Sequence, residues 1–196
     1  PTRYKVCTQL NKMIIGITGK NAAGKGELAE HLKSKGFVYF SLSDALRDEA
    51  TKQGLDHSRD VLIKLGTEIR GKFGNGILAV KINEKISKLQ NKDIVVDSIR
   101  NPGEIEELRK NDGFILIGVH TDSKIRFERL LNRGRAGDSK TFEEFEEHEK
   151  KENNDEGSGQ QLDKCMGLVD KIINSNGTIE EANDGLDLYL DSLENQ

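Results

Sequence analysis

The chain has 196 residues, one third of them charged, with 30 Lys and Arg against 34 Asp and Glu and a formal charge of −4. That length suits one domain with a real core, and the weak negative charge supplies no field to draw in nucleic acid or acidic lipid. Two cysteines, Cys7 and Cys165, form no Cys-x-x-Cys pair, and no apolar run approaches the roughly 18 residues of a membrane span, so a disulfide scaffold, a thiolate zinc site and a spanning helix are set aside in favour of a protein of the reducing cytoplasm.

Residues 1–12, PTRYKVCTQLNK, lack the pattern of a secretion signal and read as a flexible extension. The domain begins at MIIGIT (Met13–Thr18), a short Ile-rich run with the character of a buried strand. Gly19, Gly24 and Lys25 follow at the spacing G-x-x-x-x-G-K. In a phosphate-binding loop the backbone of Gly19, Asn21, Ala22, Ala23, Gly24 and Gly26 points its N–H groups at a polyanion, and Lys25 reaches the β- and γ-phosphates. The Ser or Thr that usually comes next is Gly26 here, followed by Glu27. The alternative is a strand–turn–helix joint with a surface lysine; the strand before it and the amphipathic ELAEHLKSKG after it favour the phosphate loop.

FVYFS (Phe37–Ser41) is a second strand, and helical patterning runs from Ser43 to Leu89 with breaks near Gly54 and around Gly71 to Gly76. At its start Asp44 can cap a helix and Arg47 sits one turn in, either as a surface arginine or as a fork for a phosphate at the rim. DIVVDS (Asp93–Ser98) is a third strand, and Asp97, directly after IVV, can hold a hydrated magnesium ion; Arg100 adds a second anion-binding fork. GFILIGVH (Gly113–His120), the most continuous apolar run, is expected at the centre of the sheet.

In the helix SKIRFERLLNRG, Arg126 reads as part of a solvated basic face. Arg129 and Arg133 share a face, and with Arg135 they can neutralise a transferring phosphoryl group, on a segment that Gly134 and Gly137 allow to move as a lid. Residues 134–160 are polar enough to read as exposed helices and a loop. There Gln160 and Gln161 suit either recognition of a base edge or a polar helix start. LVDKIIN (Leu168–Asn174) is a fifth strand and IEEANDGLDLYLDSL a closing helix. His120 and the acidic EEFEEHEKKE run show no metal-ligand spacing.

Strands alternating with helices predict an α/β fold of three layers, a five-stranded parallel sheet with helices on both faces and a small mobile lid. Ligands of such sheets bind outside the carboxyl ends of the strands, so Gly19–Gly26, Ser41–Arg47, Asp97–Arg100, the segment from Asp122 and Asn174–Thr178 are expected at one rim.

This order of motifs resembles the nucleoside-monophosphate kinase group of P-loop phosphotransferases, whose phosphate loop also reads GKG and then Thr where this chain has Glu27. SLSDALR resembles their monophosphate-binding segment, which implies phosphate binding by Arg47 and positioning by Ser43 and Asp44. DSIRNP resembles their D-G-F-P-R turn, and RLLNRGRAGD the start of their lid. NSNGTIEE looks like the loop that cups adenine, which implies a contact from Asn176 and Gly177. VDSIRNPGEIEELR and GQQLDK bring the chain nearer to small nucleotide-kinase-like proteins of archaea and bacteria, including the kinase-like domains that accompany deoxycytidylate deaminases.

The resemblance implies a P-loop kinase domain over 13–196, with 42–90 as the acceptor-binding helical part and 132–160 as the lid. It also implies ATP and Mg2+, a small-molecule nucleotide as partner, no nucleic acid or membrane, and association with such a deaminase. The expected activity is phosphoryl transfer to a (deoxy)nucleoside monophosphate. The alternatives are dephospho-coenzyme A kinase, in which Asp44 would matter as a base, and an ATP-binding regulatory module with little turnover.

Overall fold

The apolar runs become strands where they can be buried on both faces. In the computed structural model, which describes residues 12–134, 138–153 and 157–194, β1 (Ile14–Thr18) is buried at every position. It pairs in parallel with β3 (Ile94–Ile99) on one side and β4 (Phe114–His120) on the other. β2 (Val38–Ser41) flanks β3, and β5 (Lys171–Asn174) flanks β4, so the order is β2-β3-β1-β4-β5. The central place belongs to β1, which corrects the expectation for Gly113–His120. Continuity of apolar residues reports burial on both faces, and β3, β1 and β4 all meet that condition.

Helices fill both faces. α1 (Lys25–Ser34) and α9 (Ile179–Glu194) cover one, where Leu28, Leu32 and Leu186 meet Ile15, Ile17 and Val95. The other is covered by α2 (Leu42–Lys52), α3 (Arg59–Phe73), α4 (Ile77–Ile86) and α5 (Pro102–Leu108), whose Leu46, Leu65, Ile82 and Leu108 pack against Ile14, Val96 and Leu116. The predicted helical break falls at Gly74–Gly76 and leaves Gly71 inside α3.

α5 starts with a complete capping box. The Asn101 side chain accepts from Gly103 N (3.0 Å), while Glu104 reaches back to Asn101 N (3.1 Å). Lys12, counted with the extension, ties its ammonium to the Ile86 and Leu89 carbonyls at the end of α4; residues 1–11 lie outside the described residues.

α6 (Ser123–Arg133) and α7 (Phe142–Glu152) follow β4, and α8 (Leu162–Met166) leads to β5. α7 is docked rather than free. Phe127, Phe142 and Phe145 meet with ring centroids 5.6 to 6.0 Å apart, and Phe145 is fully buried. The polar composition of 134–160 therefore conceals an aromatic seam. Among the described residues, no helix is long and apolar enough to cross a membrane.

Candidate nucleotide and acceptor site

After β1 the chain turns through Gly19 (φ +147°), Ala22 (φ +59°) and Gly24 (φ +98°) before α1 begins. A Cβ on Gly19 would come within 2.6 Å of the Val119 carbonyl, so the turn can lie against β4 only as glycine. The result is a concave run of amides at the amino end of α1, where the helix dipole favours an anion. Lys25 folds back over this run and donates to the Gly19 and Lys20 carbonyls, both at 2.8 Å. Burial pushes its ammonium down to about 8; Asp97 opposes the shift, and Arg100, Arg126 and Arg133 add to it. Gly26 has open space around it, and Glu27 is exposed on the first turn of α1, away from the cavity described next.

A cavity of about 280 Å³ opens in front of this loop. Gly19, Asn21 and Lys25 line it, with Ser43 and Arg47 of α2 and Arg100 after β3. Arg133 of α6, Asp138 and Glu152 of α7 complete the lining named here. Lys25, Arg47, Arg59, Arg70, Arg100 and Arg133 give the wall six cationic side chains against the carboxylates of Asp138 and Glu152. Arg47 is paired to Asp44 one turn earlier (2.7 Å). Arg100 has no carboxylate within ion-pair distance among the described residues, and the side-chain bond it makes is a long one to Ser43 Oγ (3.5 Å). Burial lowers its pKa from the ordinary arginine value, with Glu152, Asp97 and Glu104 opposing, and at neutral pH it remains a cation facing the cavity.

Asp97 stands where β3 breaks register with β1: Gly16 pairs with Val96, but Thr18 pairs with Ile99. The extra residue puts Ser98 at φ +67°, a strained setting for a non-glycine residue, and the Ser98 amide donates to Asp97 Oδ1 (2.6 Å). Asp97 Oδ2 lies 3.5 Å from the Tyr39 hydroxyl. One carboxylate suits magnesium, which keeps much of its water shell and is held by one or two acids together with ligand phosphates. Among the described residues there is no cluster of three His, Cys, Asp or Glu able to hold a metal.

The arginines of α6 divide differently from expectation. Arg126 is buried (4 % exposed), not solvated. It donates to the Thr121 carbonyl (2.9 Å), forks onto both carboxylate oxygens of Glu149 and lies over the Phe145 ring (5.2 Å). Arg129, expected over the moving phosphoryl group, lies outside the cavity wall and donates to the Ser175 carbonyl (2.7 Å), holding the β5–α9 loop against α6 beside Gly24. In that loop Asn176 Oδ1 accepts from the Asp122 amide (2.8 Å), and the missing side chain of Gly177 leaves room for Glu181. Arg133 does face the phosphate loop, bonding Asn21 Oδ1 (3.2 Å) while chelated by Asp138. Arg135 and Gly137 lie outside the described residues.

Sequence reasoning passed over two ionic arrangements that shape the cavity. Arg59, at the start of α3, binds Glu152 at the end of α7 through two bonds (2.5 and 2.8 Å) and lies 4.0 Å from Asp138. Burial works against this guanidinium, but its bonds to Glu152 outweigh that, and its pKa is raised. Arg70 donates twice to Glu104 Oε1 (3.0 and 2.7 Å), while Glu104 Oε2 accepts from the Arg100 amide (2.8 Å). Glu104 is thus the wholly buried post that sets the backbone of Arg100. The N-x-x-E spacing of Asn101 and Glu104 could have signalled the cap; no local pattern signals Arg59 or Arg70, whose partners lie 93 and 34 residues away.

This architecture has known counterparts. TT1252 from Thermus thermophilus superposes with a TM-score of 0.64 at 18 % identity, over 93 % of this chain and 98 % of that one. A shikimate kinase from Aquifex aeolicus gives 0.55 at 14 % identity over 93 % and 98 %. A sequence family described as an AAA domain matches residues 15–157. A UPF0200 protein of Pyrococcus horikoshii is 34 % identical over 174 residues, 86 % of this chain and 91 % of the relative. Another, of Sulfurisphaera tokodaii, is 38 % identical over 168 residues, 86 % and 90 % of the two chains. With a phosphate loop at the head of a five-stranded parallel sheet of P-loop kinase type, the chain belongs to the UPF0200 family and carries an AAA domain.

Proposed function

We propose that this protein is an ATP-dependent phosphotransferase whose acceptor is a nucleoside monophosphate. The observation that carries the reading is that Lys25, Arg100 and Arg133, from three separate rim segments, line one cavity with Gly19 and Asn21 of the phosphate loop. Fold neighbours named as a shikimate kinase and a gluconokinase support phosphoryl transfer to a small molecule, and the leucines on the acceptor side suit a nucleobase better than a sugar acid.

In this reading the amides of Gly19–Gly26 and Lys25 hold the donor phosphates. Arg100, fixed through Glu104, takes the acceptor phosphate with Arg47, and Ser43 and Asp44 set the entrance of α2. Arg133 stands over the space between donor and acceptor and offsets charge there. Asp97 would hold Mg2+ through its water shell, and the ion would neutralise charge on the donor phosphates. Asn176, Gly177 and Arg129 frame the adenine end. No covalent enzyme intermediate is needed, since positioning and electrostatics lower the barrier.

A second reading, a nucleotide-binding module of low turnover, is favoured by one observation. Glu27 stands where the nucleoside-monophosphate kinase group has Thr after its GKG, and it is turned to solvent. A coupled ATP-consumption assay across ribo- and deoxynucleoside monophosphates, with dephospho-coenzyme A, gluconate and shikimate as other acceptors, separates the two. We expect one monophosphate to stimulate turnover, Lys25→Ala to lower kcat/KM by about 100-fold or more, and Arg100→Ala to raise the acceptor KM. Slow hydrolysis indifferent to every acceptor would establish the module instead.

A further inference from the structure

Gln160 is 6 % exposed, yet among the described residues its side-chain amide forms no hydrogen bond. It is not among the side-chain atoms sealed from solvent without a partner, a state found at Asn183 Oδ1, and Gln160 lines the cavity. A buried primary amide offers two donors and a carbonyl, and leaving them unmatched is unfavourable unless something enters to meet them.

The backbone around Gln160 is held on every side. Asn153 bridges to it, the Gln161 amide donates to the Arg100 carbonyl (2.8 Å), the Gln161 side chain reaches the Gly157 carbonyl (2.7 Å), and Asn101 Nδ2 reaches the Gly159 carbonyl (2.9 Å). The chain thus holds the backbone of Gln160 while leaving its side-chain polar atoms unused. Leu42, Leu46, Leu62, Leu78 and Leu162 supply apolar surface in the same cavity.

Apolar walls, a buried amide without partners and an unpaired arginine tied to that amide's own segment describe a receptor for a flat heterocycle joined to an anion. From this we infer that Gln160 is the specificity-determining residue of the acceptor site, and that its amide pairs with the polar edge of the base of a nucleoside monophosphate whose phosphate rests on Arg100. This rests on the kinase reading above and deepens it. It also resolves the two roles open to the Gln160–Gln161 pair: Gln161 supports the backbone, and Gln160 reads the ligand.

The test is binding of AMP, CMP, GMP and UMP by calorimetry, with ribose 5-phosphate as the base-less competitor, to the wild type and to Gln160→Leu and Gln160→Ala. We expect the preferred monophosphate to weaken by about tenfold or more in both variants while ribose 5-phosphate binding and ATP binding hold, so that the preference for the base collapses. Thermal stability of the free Gln160→Leu protein is expected to be unchanged or higher, because an unmatched amide has been removed.

Unchanged monophosphate affinity in both variants overturns the inference. So does an equal loss for ribose 5-phosphate, or a marked fall in Tm of the leucine variant, since either would make Gln160 structural. A wild type that binds ATP but none of the four monophosphates would defeat the acceptor reading itself, and this inference with it.

Discussion

At Lys25 the ammonium is held by two loop carbonyls, near Asp97 and among Arg100, Arg126 and Arg133, and its pKa falls to about 8 from an ordinary 10.5. A lysine depressed in this way binds fewer protons in the folded state than in the unfolded chain between about pH 8 and 10.5, so its effect on stability is unfavourable below pH 8 and relieved as the pH rises through that window. Phosphates brought into contact reverse the shift. Nucleotide binding at pH 8.5 is therefore expected to take up a proton, to take up none at pH 6.5, and to weaken as pH climbs past 8. Calorimetry in buffers of different ionisation enthalpy measures this directly, and Lys25→Met should abolish the uptake. The spacing of Gly19, Gly24 and Lys25 was legible because a phosphate loop is a local structure. The divergent roles of Arg126, Arg129 and Arg133 were not, since three arginines on one helix look alike until each meets its own partners: Glu149, the Ser175 carbonyl and Asp138.

At the scale of elements, α7 is where composition misleads most. Its sequence is dominated by Glu and Lys, and Phe142 and Phe145 leave too faint an apolar stripe to predict docking. What anchors it is a seam shared with α6: the three phenylalanines, Arg126 over Phe145 and the Arg126–Glu149 fork. α6 and α7 thus behave as one packed pair, and Glu152 and Asp138 at its cavity side hold Arg59 and Arg133. Truncating the buried ring in Phe145→Ala should cost about 3–5 kcal/mol of local packing. The expected signature is faster amide hydrogen exchange across residues 142–152, with the protection of β1, β3 and β4 retained. Equal loss of protection in the strands would mean that the pair is integral to the core rather than a layer upon it. α5, by contrast, starts on a local signal, because Asn101, Pro102 and Glu104 specify a helix start within four residues.

Across the whole molecule the sheet joins every part of the site, so core and ligand are linked. Cys165 reports on that link: it is buried in the core cluster with Leu116 and Ile99, and burial pushes its thiol up to about 12, with Glu104 adding to the shift and Arg70 opposing it. In a Cys7→Ser background it is expected to resist thiol reagents in the folded protein and to react only on opening of the core. Because ligand binds the folded state, ATP at 100 times its Kd should slow that reaction by about 100-fold, a stabilisation of ~2.7 kcal/mol. A labelling rate indifferent to ATP would show that Cys165 is reached by a local opening independent of the site.

By itself the sequence determined the alternation of strand and helix, the parallel sheet covered on both faces and the glycine turn between β1 and α1. These follow from local rules, namely apolar period, glycine where φ is positive, and helix caps, and they need no distant partner. Tertiary structure alone decided that β1 rather than β4 takes the centre, that Arg126 is buried, that Arg59 reaches Glu152 and Arg70 reaches Glu104, and that Gln160 is left with an unmatched amide at the cavity. Each is a meeting of residues far apart in the chain, and an ionic pair or an empty hydrogen-bond position exists only once folding has brought both sides together.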